Sequence, residues 1–312
     1  MSKIFRILSV DGGGIRGVYP AHILRCIEER LHINLYEIFD MITGTSTGSI
    51  IAAGVAIRLP VADIVEMYRK YGSKIFQKKK FFFSGRNLKK FCQPLVDSIY
   101  DSQYLEKILK EVCQGTCLGE IDKPLLIPST DIGNGGVHVF KSGYSTDFNR
   151  DNNVLLKDAI LASCSAPIFF DPHKIDHYLL ADGGLWANNP ALAAVIDAQR
   201  RLGAEKENIR VFSIGTGYSK TMYGTSKLRK WGFLNGWRHK KFIGFILSLQ
   251  SQSAMNYLKL QLRSEQIKRI DFNSDTPLSL DDVSVIDDLI SKADRDFTHE
   301  STSIRDFLQG GE

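Results

Sequence analysis

Three glycine-flanked stretches of this chain carry residues suited to acyl-transfer chemistry. In Gly44-Thr45-Ser46-Thr47-Gly48 a serine occupies the pattern G-x-S-x-G, directly after an apolar run and directly before a run of small residues. A sharp strand-to-helix turn at this point would push the Ser46 hydroxyl clear of the backbone, and Gly44 and Gly48 leave the room such an elbow needs. The helix N-terminus beneath adds positive potential for a developing oxyanion. The alternative is a tight turn in which Ser46 only caps the helix. Asp11-Gly12-Gly13-Gly14-Ile15-Arg16-Gly17 offers consecutive backbone N–H groups able to converge on one anion, as an oxyanion hole requires. It also satisfies G-x-G-x-x-G at Gly12, Gly14 and Gly17, the dinucleotide-binding pattern. The next strand argues against that reading, since it ends in Gly44 to Gly48 and not in an acid that would hold a ribose. Asp182-Gly183-Gly184 puts a carboxylate on a turn that can approach another loop closely. If Asp182 meets Ser46 it is a general base, effective once desolvated or strongly hydrogen-bonded; if it bonds only its own turn it is structural. A Ser-His-Asp triad competes, but only His239 and His299 follow Asp182, and neither follows an evident strand end. The residues favour a Ser-Asp dyad.

The elements that must position these groups are legible around them. Ile4 to Val10 reads as a buried strand leading into the first glycine turn, and Pro20 sits where a helix begins and runs to Leu31. A second apolar run, Ile38 to Thr43, leads into the serine turn, with a helix over Ile50 to Ile57. Leu125 to Pro128 and Val137 to Phe140 read as strands around a turn at Gly133 to Gly136. Ala159 to Leu161 falls in a helix ending near Pro167, His177 to Ala181 is a strand into Asp182, and Ile209 to Ile214 ends in Gly215-Thr216-Gly217. Strands alternating with helices imply a layered α/β sheet, with its chemistry at the strand C-terminal ends.

Composition narrows the classes. The 312 residues are 43% hydrophobic and 24% charged, an ordinary globular balance. No apolar run approaches the ~20 residues that span a bilayer. The first residues do not read as a signal peptide, and five cysteines in this length read as free thiols, so the expected compartment is the cytosol. The net charge of +5 hides an asymmetry. Arg69 to Lys90 holds nine basic residues and no acid, and Lys220 to Lys241 holds seven and none. Both interleave cations with aromatic rings, a mixture suited to an anionic membrane surface or a phosphate-bearing ligand. Solvated helix faces with inward-pointing rings are the competing reading. The tail from Asp281 to Glu312 has nine acids against three bases and reads as a solvated helical end.

Together, Asp11 to Gly17, Gly44 to Gly48 and Asp182 to Gly184 resemble the patatin-like phospholipase family, as do Ala162-Ser163-Cys164-Ser165-Ala166-Pro167 and Asn188-Asn189-Pro190. The resemblance covers roughly residues 4 to 217. It implies a three-layer α/β/α fold with a largely parallel central sheet, a catalytic core over 1–220 and a C-terminal extension over 221–312 packed on it. Ser46 would be the nucleophile on an elbow flanked by Gly44 and Gly48, Asp182 the base, and the backbone N–H groups around Gly12, Gly13 and Gly14 the oxyanion hole, with Arg16 steadying that loop or a lipid phosphate. No metal or organic cofactor is implied. The implied reaction is hydrolysis of acyl esters of membrane phospholipids. Lys78, Lys79, Lys80, Phe81, Phe82 and Phe83 would dock on the membrane, with the protein cytoplasmic and peripheral at its inner face when active. The chain is similar to compact bacterial members that act in antiphage defence and are switched on by cyclic dinucleotides. That similarity implies a cyclic-dinucleotide activator, for which Lys227, Arg229, Lys230 and Arg238 are the candidate ligands. A homo-oligomer is compatible with such switching, and no nucleic acid polymer is expected as a partner. The competing functions are a constitutive acyl-ester hydrolase without nucleotide control, and a nucleotide-binding or membrane-binding module in which Ser46 is not catalytic.

Overall fold

A strand that is apolar at both odd and even positions needs a cover on both faces of its sheet, and the computed structural model provides one. It describes residues 3–79, 97–218, 239–276 and 278–310. The strands are β1 (Phe5–Val10), β2 (Met41–Gly44), β3 (Leu125–Asp131), β4 (Gly136–Lys141), β5 (His173–Ile175), β6 (Tyr178–Asp182), β7 (Ile209–Ile214) and β8 (Ile267–Ile270). The helices among the described residues are α1 (Val18–Leu31), α2 (Leu35–Ile38), α3 (Thr47–Ala56), α4 (Val61–Ile75), α5 (Gln103–Cys113), α6 (Leu156–Cys164), α7 (Gly184–Ala187), α8 (Ala191–Arg201), α9 (His239–Gln261) and α10 (Ile286–Gln309). On one face Leu8, Val10, Phe212 and Ile214 pack with α1, α3, α4, α6 and α10. On the other, Ile7, Met41 and Val211 pack with Ala194, Val195 and Ala198 of α8 and Leu258 of α9. Three layers result.

All eight strands form one sheet, ordered β5-β6-β3-β2-β1-β7-β8 with β4 beside β3. The run β3-β2-β1-β7-β8 is parallel, and β4, β6 and β5 join antiparallel. The register of β3 determines where chemistry can occur. β4 pairs along Leu126 to Asp131 on one edge of β3. On the opposite edge β2 pairs with Leu125 and Leu126, and β6 pairs with Ser129 to Asp131. So β2 and β6 run toward each other along one edge and stop with their C-terminal ends facing. The turn after β2 carries Ser46, and the last residue of β6 is Asp182.

Local departures from the expected elements have local causes. Residues 35–38 form a helical turn and not the start of a strand, because the Asn34 side chain accepts a hydrogen bond from the Glu37 amide and caps it. The helix after the glycine turn begins at Val18, preceded by one 3₁₀ turn over Gly14–Gly17. The acidic tail is helical as expected but not simply solvated, since α10 buries Leu289, Ala293, Phe297, Ile304 and Leu308. Its Asp287 and Asp288 lie in the first turn, where they complement the helix dipole. The expected boundary at residue 220 falls outside the described residues. Beyond it, β8 extends the central sheet through β7, from Val211↔Ile267 to Ile214↔Ile270. Among the described residues, no helix is long and apolar enough to cross a membrane.

Candidate active site

Ser46 joins β2 to α3 at φ 54°, ψ −126°. A non-glycine residue held there costs about 1–3 kcal/mol, so the surroundings must impose it. Its N–H donates to Ser163 Oγ at 2.9 Å, and that hydroxyl donates to the Pro128 carbonyl at 2.6 Å. The Thr45 N–H donates to the Val10 carbonyl (3.2 Å), and its hydroxyl donates to the Ala187 carbonyl (2.6 Å). A Cβ on Gly44 would overlap the Gly48 carbonyl, and one on Gly48 would overlap that of Val10. The flanking glycines therefore permit close contact between the elbow and β1.

Asp182 is 4% exposed. The Thr130 and Ser129 hydroxyls donate to the carbonyls of Asp182 and Ala181 (2.9 and 2.8 Å), and the Asp182 N–H donates to the Ser165 carbonyl at 2.9 Å. Its Oδ1 accepts the Gly184 amide at 2.7 Å, and the Ser46 hydroxyl lies near enough to the carboxylate to favour its charged form. Burial pushes its pKa up to about 6 against the Gly184 hydrogen bond and the nearby Ser46 hydroxyl, which favour the charged form. Asp182 thus makes its structural turn bond while also lying beside Ser46.

In the glycine turn the carbonyls are pinned and the amides on the same peptide units point away from the pins. The Gly12 carbonyl accepts from Thr216 Oγ1 at 2.8 Å, which aims the Gly13 N–H the opposite way, and the Gly13 carbonyl accepts Arg16 Nε at 3.1 Å, which aims the Gly14 N–H likewise. Among the described residues neither of these N–H groups has an acceptor, and both glycines line the pocket above Ser46. Gly12 departs from the expectation. Its own N–H donates to the Asn188 carbonyl at 3.0 Å and is already committed. Arg16 is buried, with its Nη1 on the Gly217 carbonyl (3.0 Å); burial lowers its pKa to about 10, so it stays charged. It steadies the turn and does not reach toward a lipid phosphate.

Behind the turn lies a network contributed largely by residues after 240. Arg269 of β8 forms a two-pronged pair with Asp11 (2.8 and 2.6 Å) and also bonds Asp271 Oδ2 (2.7 Å) and Ser213 Oγ (2.7 Å). Asp271 Oδ1 accepts the Gly217 amide at 3.0 Å, and Ser251 of α9 bridges Asn188 and Asp11. Sequence reasoning assigned no role to Ser163, Asn188, Thr216, Ser251, Arg269 or Asp271. Ser163, Asn188 and Thr216 lie in stretches the sequence had already singled out, but no local pattern marks the other three.

Ser46 and Asp182 open into a pocket whose walls are apolar, including Ile50, Ile75, Phe76, Leu105, Phe170 and Leu247. Among the described residues no histidine lines it, and His299 stands exposed on α10. The expected docking residues are only partly described. Lys78 is exposed, whereas Lys79 is folded onto Asp171 (2.8 Å) and Asp97 (3.2 Å) and is not free to face a headgroup. Lys80, Phe81, Phe82 and Phe83 lie outside the described residues, as do Lys227, Arg229, Lys230 and Arg238.

The patatin-like phospholipase profile matches residues 8–195, a stretch holding the glycine turn, the elbow and Asp182. A cGAMP-activated phospholipase from Vibrio cholerae is 34% identical over 253 residues, covering 74% of this chain and 70% of that one. A cGAMP-activated phospholipase from Pseudomonas aeruginosa is 30% identical over 285 residues, covering 91% and 82%. A cUMP-AMP-activated phospholipase from Escherichia coli is 32% identical over 220 residues, covering 69% and 65%. With three motifs in order and a profile match over more than half its length, the chain belongs to the patatin-like phospholipase family.

Proposed function

We propose that this protein is a phospholipase A-type lipid acyl hydrolase that a cyclic dinucleotide switches on. The observation that carries the reading is a strained serine beside a buried carboxylate at the head of an apolar pocket. Asp182 takes the Ser46 proton as Oγ attacks the ester carbonyl. The amides of Gly13 and Gly14 hold the tetrahedral oxyanion, and losing one such donor typically costs ~10²–10³ in rate. Asp182 returns the proton to the departing lysolipid oxygen. It then takes a proton from the water that attacks the acyl-Ser46 ester and passes it to Ser46 Oγ as the fatty acid leaves, which restores the starting state. The pocket walls suit an acyl chain better than a polar soluble ester. The activator class comes from the relatives, which respond to cGAMP or cUMP-AMP. Contact with the membrane is peripheral on this reading, with the exposed Lys78 near the pocket wall at Ile75 and Phe76.

The test is fatty acid released from mixed phospholipid liposomes by wild type and Ser46→Ala, each with and without cGAMP and cUMP-AMP. Release that needs Ser46 and rises with one nucleotide is expected, with Ser46→Ala lower by ~10³ or more. Release independent of nucleotide would remove the switch, and release by Ser46→Ala would overturn the nucleophile.

A further inference from the structure

α1 and α10 meet along a seam behind the site. On α1, His22 and Cys26 stand one turn apart and share a face, and Asp294 of α10 stands opposite. Their donor atoms all lie within 4.8 Å of one another. His22 Nε2 is 3.6 Å from Asp294 Oδ1, longer than a hydrogen bond, and Cys26 Sγ is 4.0 Å from the same oxygen. His22 is 8% exposed and Cys26 2%. Both ring nitrogens of His22 are buried without a hydrogen-bond partner. A buried imidazole with neither nitrogen engaged calls for an explanation, because such groups are nearly always satisfied.

We propose that His22, Cys26 and Asp294 form a zinc site that clamps α10 to α1, with water at the fourth position. One thiolate, one imidazole and one carboxylate suit a borderline-soft ion, whereas calcium and magnesium take oxygen donors. Zinc bonds of ~2.3 Å to sulfur and ~2.0–2.2 Å to nitrogen and oxygen set tetrahedral donors roughly 3.3–3.7 Å apart. The three donors need to draw in by only a few tenths of an ångström to about one. Arg30 pairs with Asp294, and Arg25 pairs with Glu29 at 2.8 Å. Arg30 now pairs with that same Oδ1, so a metal bound there moves Arg30 to the other carboxylate oxygen, from which it orients the carboxylate from outside. On binding, the Cys26 thiol proton goes to solvent and His22 binds neutral. None of the three residues lines the acyl pocket, so the ion's role is structural. It fixes a helix that already holds α1 through the Tyr19 hydroxyl on Asp296 at 2.8 Å.

The experiment uses the full chain, stripped with a chelator and titrated with cobalt(II) and then zinc(II). A thiolate-to-cobalt charge-transfer band saturating at one equivalent, its loss on adding zinc, and a zinc-dependent rise in Tm are expected. Cys26→Ser should abolish the band. His22→Gln and Asp294→Asn should weaken zinc by more than the ~10–100-fold typical of a lost outer partner. Each variant is compared with itself without metal, so a general loss of stability does not mimic the result. Absence of a one-equivalent band in wild type overturns the proposal, as does a band that persists in Cys26→Ser.

Discussion

A general base must be ionised to act, yet a carboxylate at its ordinary pKa is too weak to take a serine proton readily. Asp182 sits between these limits because burial raises it to about 6, while the Ser46 hydroxyl and the Gly184 amide keep it from rising further. The acid limb of kcat/KM on liposomes should therefore fall near pH 6. A limb near pH 4 would mean that Asp182 is not the base. The same shift has a stability consequence. The folded pKa lies above the unfolded value, so the native state holds more protons between about pH 4 and 6 and loses stability as pH rises through that window. Asp182→Asn should be inactive but more stable than wild type at pH 8 by about 2–3 kcal/mol, with the gap closing below pH 4. Urea unfolding at the two pH values measures it, and a pH-independent gap would contradict the linkage.

At the scale of elements, the proposed dyad is possible because β2 and β6 end face to face on one edge of β3. Neither strand alone brings Ser46 to Asp182. The junction is held by α6, whose Ser163 hydroxyl ties the Ser46 amide to the Pro128 carbonyl. Ser163→Ala should leave both groups short of a partner, lowering stability by about 1–3 kcal/mol and letting the elbow drift. A misplaced nucleophile can cost up to ~10² in kcat with KM little changed, and Ser163→Thr should recover part of it. Steady-state rates for the two variants test this; equal kcat in all three proteins would limit Ser163 to a structural role. The oxyanion turn has its own constraint at Gly14. It adopts φ +60°, and a Cβ there would overlap the Leu280 carbonyl, so Gly14→Ala should lose activity by ~10² or more while substrate binding persists. Liposome hydrolysis and sedimentation with liposomes separate those two effects.

Over the whole molecule, residues far along the chain complete the site that the first half outlines. Arg269 and Asp271 follow from β8, and Ser251 from α9, yet all three brace the turn at 11–17. Removing Arg269 would strand the Asp11 carboxylate, which is 2% exposed. Arg269→Met should therefore cost about 3–5 kcal/mol and most of the activity, and adding Asp11→Asn should restore much of the stability. Thermal unfolding of the single and double variants checks the coupling; additive losses would show that the pair is not the brace.

The sequence by itself marked the residues proposed to react and the turns that carry them. G-x-S-x-G after a strand, a run of three glycines after another and an aspartate on a third turn are local patterns, and local sterics and hydrogen-bond capacity impose their meaning. The same locality explains the misreadings. Gly12 looks equivalent to Gly13 and Gly14 in the sequence, but tertiary packing brings the Asn188 carbonyl to its amide and leaves the other two free. Lys79 reads as one of three surface cations, but Asp97 and Asp171 close on it. β8, Ile-Lys-Arg-Ile, was not legible as a strand because its cations are compensated by Asp11, Asp271 and Glu300, none of them local to its pattern except Asp271. Only the tertiary structure decided which amides face the pocket, which charges are spent on each other and how the chain's second half braces its first. Those outcomes depend on groups up to 277 positions apart, and a separation of that kind leaves no period or spacing in the chain to read.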